Sequence, residues 1–236
     1  MTRKLNFPNL LNARDLGGCA TRDGQQTRWQ SFVRADELTR LTPQGVQSLL
    51  DYGVRTVIDL RWPAETQARP SVFQQAHSLV NYVHVSMLDE SEQTWSARRP
   101  PTTKEKWNCV VLDHAQAALR ETLRAIAAAS DGAILFHCQA GKDRTGILAA
   151  LLLALAEVTP AVIAHDYTLS TENLREPYLA TYPDQREAVL ENVRCPPENA
   201  YNMLAHLAER YDGAVNYLRT LGLSDQEIER IRERLR

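Results

Sequence analysis

The stretch that most narrows the possible folds is GAILFHCQAGKDRTGILAALLLALAEV, residues 132–158. An apolar run of strand length, GAILFH, meets a polar turn containing a glycine. The turn opens a second apolar run, residues 147–156. That run is too short to span a bilayer and is followed by Glu157, so it reads as a buried helix. A buried strand that feeds a buried helix through a tight turn calls for a sheet covered by helices.

Other segments point the same way. TPQGVQSLLDYG (42–53) reads as a helix: Thr42 caps it, Pro43 suits its first position, and Val46, Leu49 and Leu50 share a face. SFVRADEL (31–38) contains a short strand, and VRTVIDLR (54–61) reads as a buried one. SLVNYVHVSML (78–88) is a further strand, with apolar alternation at Leu79, Val83 and Val85. Residues 113–130 form an alanine- and leucine-rich helix, Thr159-Pro160 starts another, and Ser224 with Glu227 makes a capping box for the last. Strands alternating with helices, followed by helices alone, predict an α/β fold. Its central, mainly parallel sheet is flanked by helices, and its C-terminal half is helical. No linker divides the chain, so residues 1–236 are expected to be a single domain.

The net charge of −2, without a block of like charge, speaks against a nucleic-acid partner. The basic start lacks an apolar core and cleavage site, which leads us to expect a cytoplasmic protein. Secretion by another route stays open. Cys19, Cys109, Cys138 and Cys195 are scattered without a CxxC pair. His77, His84, His114, His165 and His206 lack metal-ligand spacing, so neither a metal nor a cofactor is expected. A reducing compartment would keep a cysteine nucleophile active.

A strand that turns sharply into a helix presents free backbone N–H groups, and these with the helix dipole hold an anion. Gly141 and Gly146 allow the turn and close packing. Cys138 would point into the cradle, where its thiolate is stabilised. Arg144 would offer a planar fork to two anionic oxygens, and Thr145 a hydroxyl to the sulfur or the departing group. Phosphate fits this geometry best. The chemistry would be thiolate attack on phosphorus, a phosphocysteine intermediate and hydrolysis, with no metal required. The turn is not a Walker loop, because Asp143 stands where Ser or Thr follows the lysine.

At these residues the chain resembles the cysteine-dependent tyrosine phosphatase superfamily with the HCx5R signature. HCQAGKDRTG (137–146) is most similar to the bacterial tyrosine and lipid phosphatase branch. NARDLGG (12–18), VRADEL (33–38), VIDLR (57–61) and YDGAVNYLRTLGLS (211–224) resemble further segments of that branch, with Ala13 where it has an aromatic residue. The resemblance implies the phosphatase fold, Cys138 as nucleophile and Arg144 as phosphate clamp. Gln139, Ala140, Gly141, Lys142, Thr145 and Gly146 would line the phosphate site. Lys142 is shared with phosphoinositide phosphatases. It would bind a second phosphate, lower the Cys138 pKa, or face solvent.

A leaving oxygen needs an acid. Two candidates stay open: Asp89, where the strand at 78–88 meets a polar loop, and Asp143 inside the cradle. Asp143 could instead orient Arg144 or cap the helix. Trp62 reads as packing, and Glu65 as a partner of Arg61. Asp59 with Arg61, and Arg14 with Asp15, read as structural ion pairs, and His137 as a residue that orients the cradle. Residues 89–108, with Trp95, Arg98, Arg99, Lys104, Lys106 and Trp107, would form either a lid or a solvated loop. The expected activity is a phosphotyrosine protein phosphatase, with phosphoserine/threonine and phosphoinositides as further substrates. A phytase-like inositol-phosphate phosphatase, an inactive phosphate-binding module and a sulfurtransferase are the alternatives. The oligomeric state is left open.

Overall fold

The computed structural model describes residues 2–75, 79–88, 103 and 106–236. Among these, five strands form one sheet: β1 (Arg14–Asp15), β2 (Phe32–Ala35), β3 (Val54–Asp59), β4 (Asn81–His84) and β5 (Ala133–His137). Their order is β1-β2-β5-β3-β4. All neighbours are parallel except the short β1, which pairs antiparallel with β2. Alternate side chains of β5 enter different cores. Ile134 and Phe136 pack on one face, Ala133 and Leu135 on the other, as expected of a strand covered on both sides.

The described helices before the central turn are α1 (Pro43–Asp51), α2 (Pro63–Ala68), α3 (Val72–Gln75), α4 (Trp107–His114) and α5 (Gln116–Ala128). After it come α6 (Asp143–Leu155), α7 (Pro160–Thr181), α8 (Arg186–Val193), α9 (Pro197–Tyr211), α10 (Ala214–Thr220) and α11 (Asp225–Leu235). The capping expectations hold at two helices. Thr42 accepts from the Gly45 N–H at 3.2 Å, and Ser224 and Glu227 bond reciprocally. Thr159 precedes α7 without a side-chain cap bond.

Two expectations need correction. The helix expected over 113–130 is present as α5 but starts at Gln116, because residues 113 and 114 close α4 and the two part at Ala115. Tertiary packing overrides helix propensity here, because α4 packs on α9 while α5 packs on α11. The strand expected over 78–88 is only Asn81–His84, at the sheet edge. Leu79 is 44% exposed, and only Val85 of the three alternating positions is buried. Having one strand neighbour, β4 buries less than its pattern suggested.

The parallel strands end along one edge. Ala35 is level with His137, His137 with Asp59, and Asp59 with His84. The residues that follow, Asp36-Glu37, Cys138 and Leu60-Arg61, therefore become neighbours. This carboxyl edge is where open α/β sheets place their ligands. Among the described residues no helix is long and apolar enough to cross a membrane.

Candidate active site

The turn between β5 and α6 is built by what surrounds it. Gly141 has φ 65°, and a Cβ there would lie 2.4 Å from the Ala35 carbonyl oxygen. The position thus admits glycine on both counts. Gly141→Ala should destabilise the protein by about 1–3 kcal/mol and impair the loop, seen as a lowered Tm together with lost turnover.

The loop carbonyls are drawn outward. The Glu37 N–H donates to Gln139 O at 3.0 Å. Asn12 Nδ2 donates to Ala140 O at 2.9 Å and Gly141 O at 3.0 Å, and Arg34 donates to Gly141 O at 2.8 Å. Among the described residues, no protein group accepts from the backbone N–H groups of residues 139–144. Free amides at the start of a thirteen-residue helix can hold a tetrahedral oxyanion.

Cys138, 3% exposed, lies on a cavity of about 770 Å³ with Arg144, Lys142, Asp143, Trp62 and Trp107. The charges of Arg144 and Lys142 both interact with its sulfur. Glu65 holds the Arg144 fork through both oxygens, at 2.6 and 2.9 Å, and Trp62 lies under it at 5.2 Å. This corrects one sequence expectation, since Glu65 bonds Arg144 rather than Arg61, and it bears out another: Trp62 packs, against the core and under Arg144. Burial alone would raise the Glu65 pKa, but Arg144 reverses the effect and holds it below the ordinary value. Glu65 is therefore a carboxylate at neutral pH and not a proton donor.

Behind the loop sits a cluster that the sequence reading missed. Asp166 of α7 is buried against Arg14, at 3.2 Å, Arg34, at 2.6 Å, and Arg3. Arg14 thus pairs with Asp166, not with Asp15. Asp15 instead accepts from Gly17 and Gln30 N–H groups and from Tyr52. Burial, then the like charge of Arg34, lowers Arg14 to about 9, still protonated at pH 7. Burial would raise the Asp166 pKa, but Arg14, Arg34 and Arg3 hold it far below the carboxylate range. Its stabilising contribution is thus complete above about pH 4, near the unfolded value, and lost as the pH falls toward the depressed folded value. Asp166→Asn should cost about 3–5 kcal/mol in urea unfolding at pH 7, because it leaves buried guanidinium groups uncompensated. The signal was an arginine inside the apolar strand FVRA, which demands a buried counter-charge.

A second network underlies Cys138. Asp59 pairs with Arg61 at 2.7 Å, as expected, and Glu37 bridges Arg61 and Arg69. The Gln139 amide, oriented by its neighbours, donates to Glu65 at 2.8 Å and accepts from Arg69 at 2.7 Å. His137 is fully buried, with Nδ1 3.1 Å from Cys138 O. Burial lowers its pKa, so the ring is neutral at pH 7 and its 3.6 Å contact with Asp59 is not an ion pair.

Asp143 opens α6 on the cavity wall, with Lys142 at 3.4 Å. Lys142 also donates to Asn192 O at 2.5 Å. Burial works against its charge, but Asp143 outweighs that and holds the Lys142 pKa above its ordinary value. Thr145 Oγ1 is buried and, among the described residues, has no hydrogen-bond partner. Asp89, the other acid candidate, lies outside the described residues, as do His77, Trp95, Arg98, Arg99 and Lys104. Trp107 begins α4 and reaches the cavity. Among the described residues no group of three His, Cys, Asp or Glu side chains could hold a metal ion.

The fold and this edge define an α/β protein with a buried cysteine where the sheet turns into a helix. The chain belongs to the tyrosine phosphatase family, whose model matches residues 5–236. It is 34% identical to a tyrosine-protein phosphatase of Nostoc commune over 227 residues, 87% of this chain and 74% of that one. A Cupriavidus necator relative is 29% identical over 172 residues, 71% of this chain and 63% of its own. The structure of Pseudomonas aeruginosa TpbA aligns at 16% identity with a TM-score of 0.32, covering 70% of this chain and 86% of that one. The sequence matches carry the membership, and this chain is a phosphatase.

Proposed function

We propose that this phosphatase hydrolyses phosphomonoesters with Cys138 as nucleophile, and that phosphotyrosine in proteins is its first substrate. The observation that carries this reading is the position of Cys138: on the cavity with Arg144, at the start of a loop whose N–H groups have no protein acceptor among the described residues. The thiolate attacks phosphorus, the bond to the leaving oxygen breaks, and that oxygen takes a proton from an acid. Water then hydrolyses the phosphocysteine and releases phosphate. The loop amides and Arg144 stabilise charge on the equatorial oxygens. No step calls for a metal or cofactor.

Aromatic cavity walls from Trp62, Trp107, Tyr178 and Tyr182 suit an aryl ester. Phosphoserine/threonine and phosphoinositides rank behind it. Lys142 lines the same cavity, which keeps an inositol-phosphate reading as the alternative. To reach a second phosphate, however, Lys142 would have to leave Asn192 O and Asp143. A panel of phosphopeptides, phosphoinositides and inositol phosphates tests this ranking. The phosphotyrosine peptides should show the highest kcat/KM; faster turnover of inositol phosphates would overturn it.

Asp143 and Asp89 remain the acid candidates. Replacing the true acid by asparagine should slow alkyl phosphates roughly 100-fold, and aryl phosphates with good leaving groups far less. Equal losses on both substrates would remove that residue from the role.

A further inference from the structure

Asp143 has a buried partner that the mechanism above does not use. Tyr167 of α7, 2% exposed, turns its hydroxyl to Asp143 Oδ1 at 3.4 Å. Gly146, the last residue of HCQAGKDRTG, makes room for it: a Cβ there would lie 2.7 Å from the Tyr167 ring. The side chains of Asn108, from α4, and Asn199, from α9, interact with the same hydroxyl. Both asparagines are more than nine-tenths buried. Yet, among the described residues, neither amide atom of Asn108 nor Oδ1 of Asn199 completes a hydrogen bond. Buried polar atoms without a protein partner cost stability, so each is open to a further hydrogen bond. Asn199 also borders the cavity that holds Cys138 and Asp143.

We propose that Tyr167 is a positioning residue for Asp143, aiming its carboxyl group at the leaving oxygen through a hydroxyl that turns between Asp143 and the two asparagines. The inference rests on Asp143 being the proton donor. A phenol has one proton to donate and an oxygen that accepts. While Asp143 is ionised, the Tyr167 proton points to Oδ1. When Asp143 is protonated, its own O–H donates to the phenol oxygen, and the Tyr167 proton turns to an asparagine oxygen. One unpaired amide oxygen thereby gains a partner in the second state. Tyr167 itself never ionises, because burial, followed by the Asp143 charge, pushes its pKa far above the ordinary value. A separation of 3.4 Å is long for this bond, and such bonds tighten when substrate is bound. The other groups that act on Asp143 are Lys142, Arg144 and Cys195, and all remain when Tyr167 is changed.

The test is the pH profile of kcat/KM for an alkyl and an activated aryl phosphate, in wild type, Tyr167→Phe, Asn199→Ala and Asp143→Asn. The phenol bond favours the Asp143 carboxylate. Tyr167→Phe should therefore move the alkaline limb to higher pH. It should also slow the alkyl ester roughly 10-fold and the aryl ester less than about 2-fold. Asn199→Ala, which removes a competing acceptor, should move the limb to lower pH. A Tyr167→Phe enzyme with an unmoved limb and equal losses on both esters would overturn the proposal and leave Tyr167 a packing residue. If Asp143→Asn shows no leaving-group dependence, the acid assignment itself fails and this proposal falls with it, whatever Tyr167→Phe does.

Discussion

Cys138→Ser will abolish phosphomonoester turnover, a loss of roughly 10,000-fold or more. Serine differs from cysteine by one atom, so the end of β5 and the outward bonds of the loop carbonyls should survive, with stability changed by less than about 1 kcal/mol. What disappears is a thiol, which is a far better nucleophile than a hydroxyl. Two groups that could act as a base for a serine hydroxyl are engaged elsewhere. The His137 ring is buried against Cys138 O and Asp59, and Glu65 is committed to Arg144. Initial rates on an aryl phosphate, with phosphate binding measured by calorimetry, read both halves. Turnover should vanish while phosphate still binds. A variant that keeps more than about one per cent of wild-type turnover would contradict this expectation.

The second large effect is expected from Arg144→Lys: a fall in kcat/KM of roughly 100- to 1,000-fold. Lysine keeps the charge but loses the planar fork that meets two phosphoryl oxygens at once. It also loses the two-point bond by which Glu65 holds residue 144 on the cavity wall. Glu65→Gln, which keeps the shape and weakens the hold, should cost only about 10-fold. The comparison separates the reach of the fork from its anchoring. A lysine variant within a few-fold of wild type would mean that residue 144 contributes only charge.

The strand-turn-helix at 132–158 was legible because its evidence is local: an apolar strand, a glycine with positive φ and an apolar helix lie within a few turns of chain. The same holds for the caps at Thr42 and Ser224. What escaped were contacts that need the folded sheet. Arg34 and Asp166 lie 132 residues apart and Asn12 and Gly141 129 apart, and no period or spacing links them. Glu65 was seen but given the wrong partner: Arg61 is nearer in sequence, while the level ends of β3 and β5 bring Arg144 to it. Tyr167 was one more aromatic residue in a helix until Gly146 showed that the motif leaves space for its ring. The residues proposed to attack and hold phosphate thus lie in one short segment, and the groups that hold that segment in place are spread across the chain.

The central claim is that phosphate passes through Cys138. Rapid acid quench of the enzyme during turnover of an aryl phosphate, followed by peptide mass analysis, tests it most directly. The account predicts one phosphoryl group on the peptide containing Cys138, formed within the first turnover and absent in Cys138→Ser. Full turnover with no phosphorylated Cys138 peptide at any quench time, or with the phosphoryl group on another residue, would contradict it.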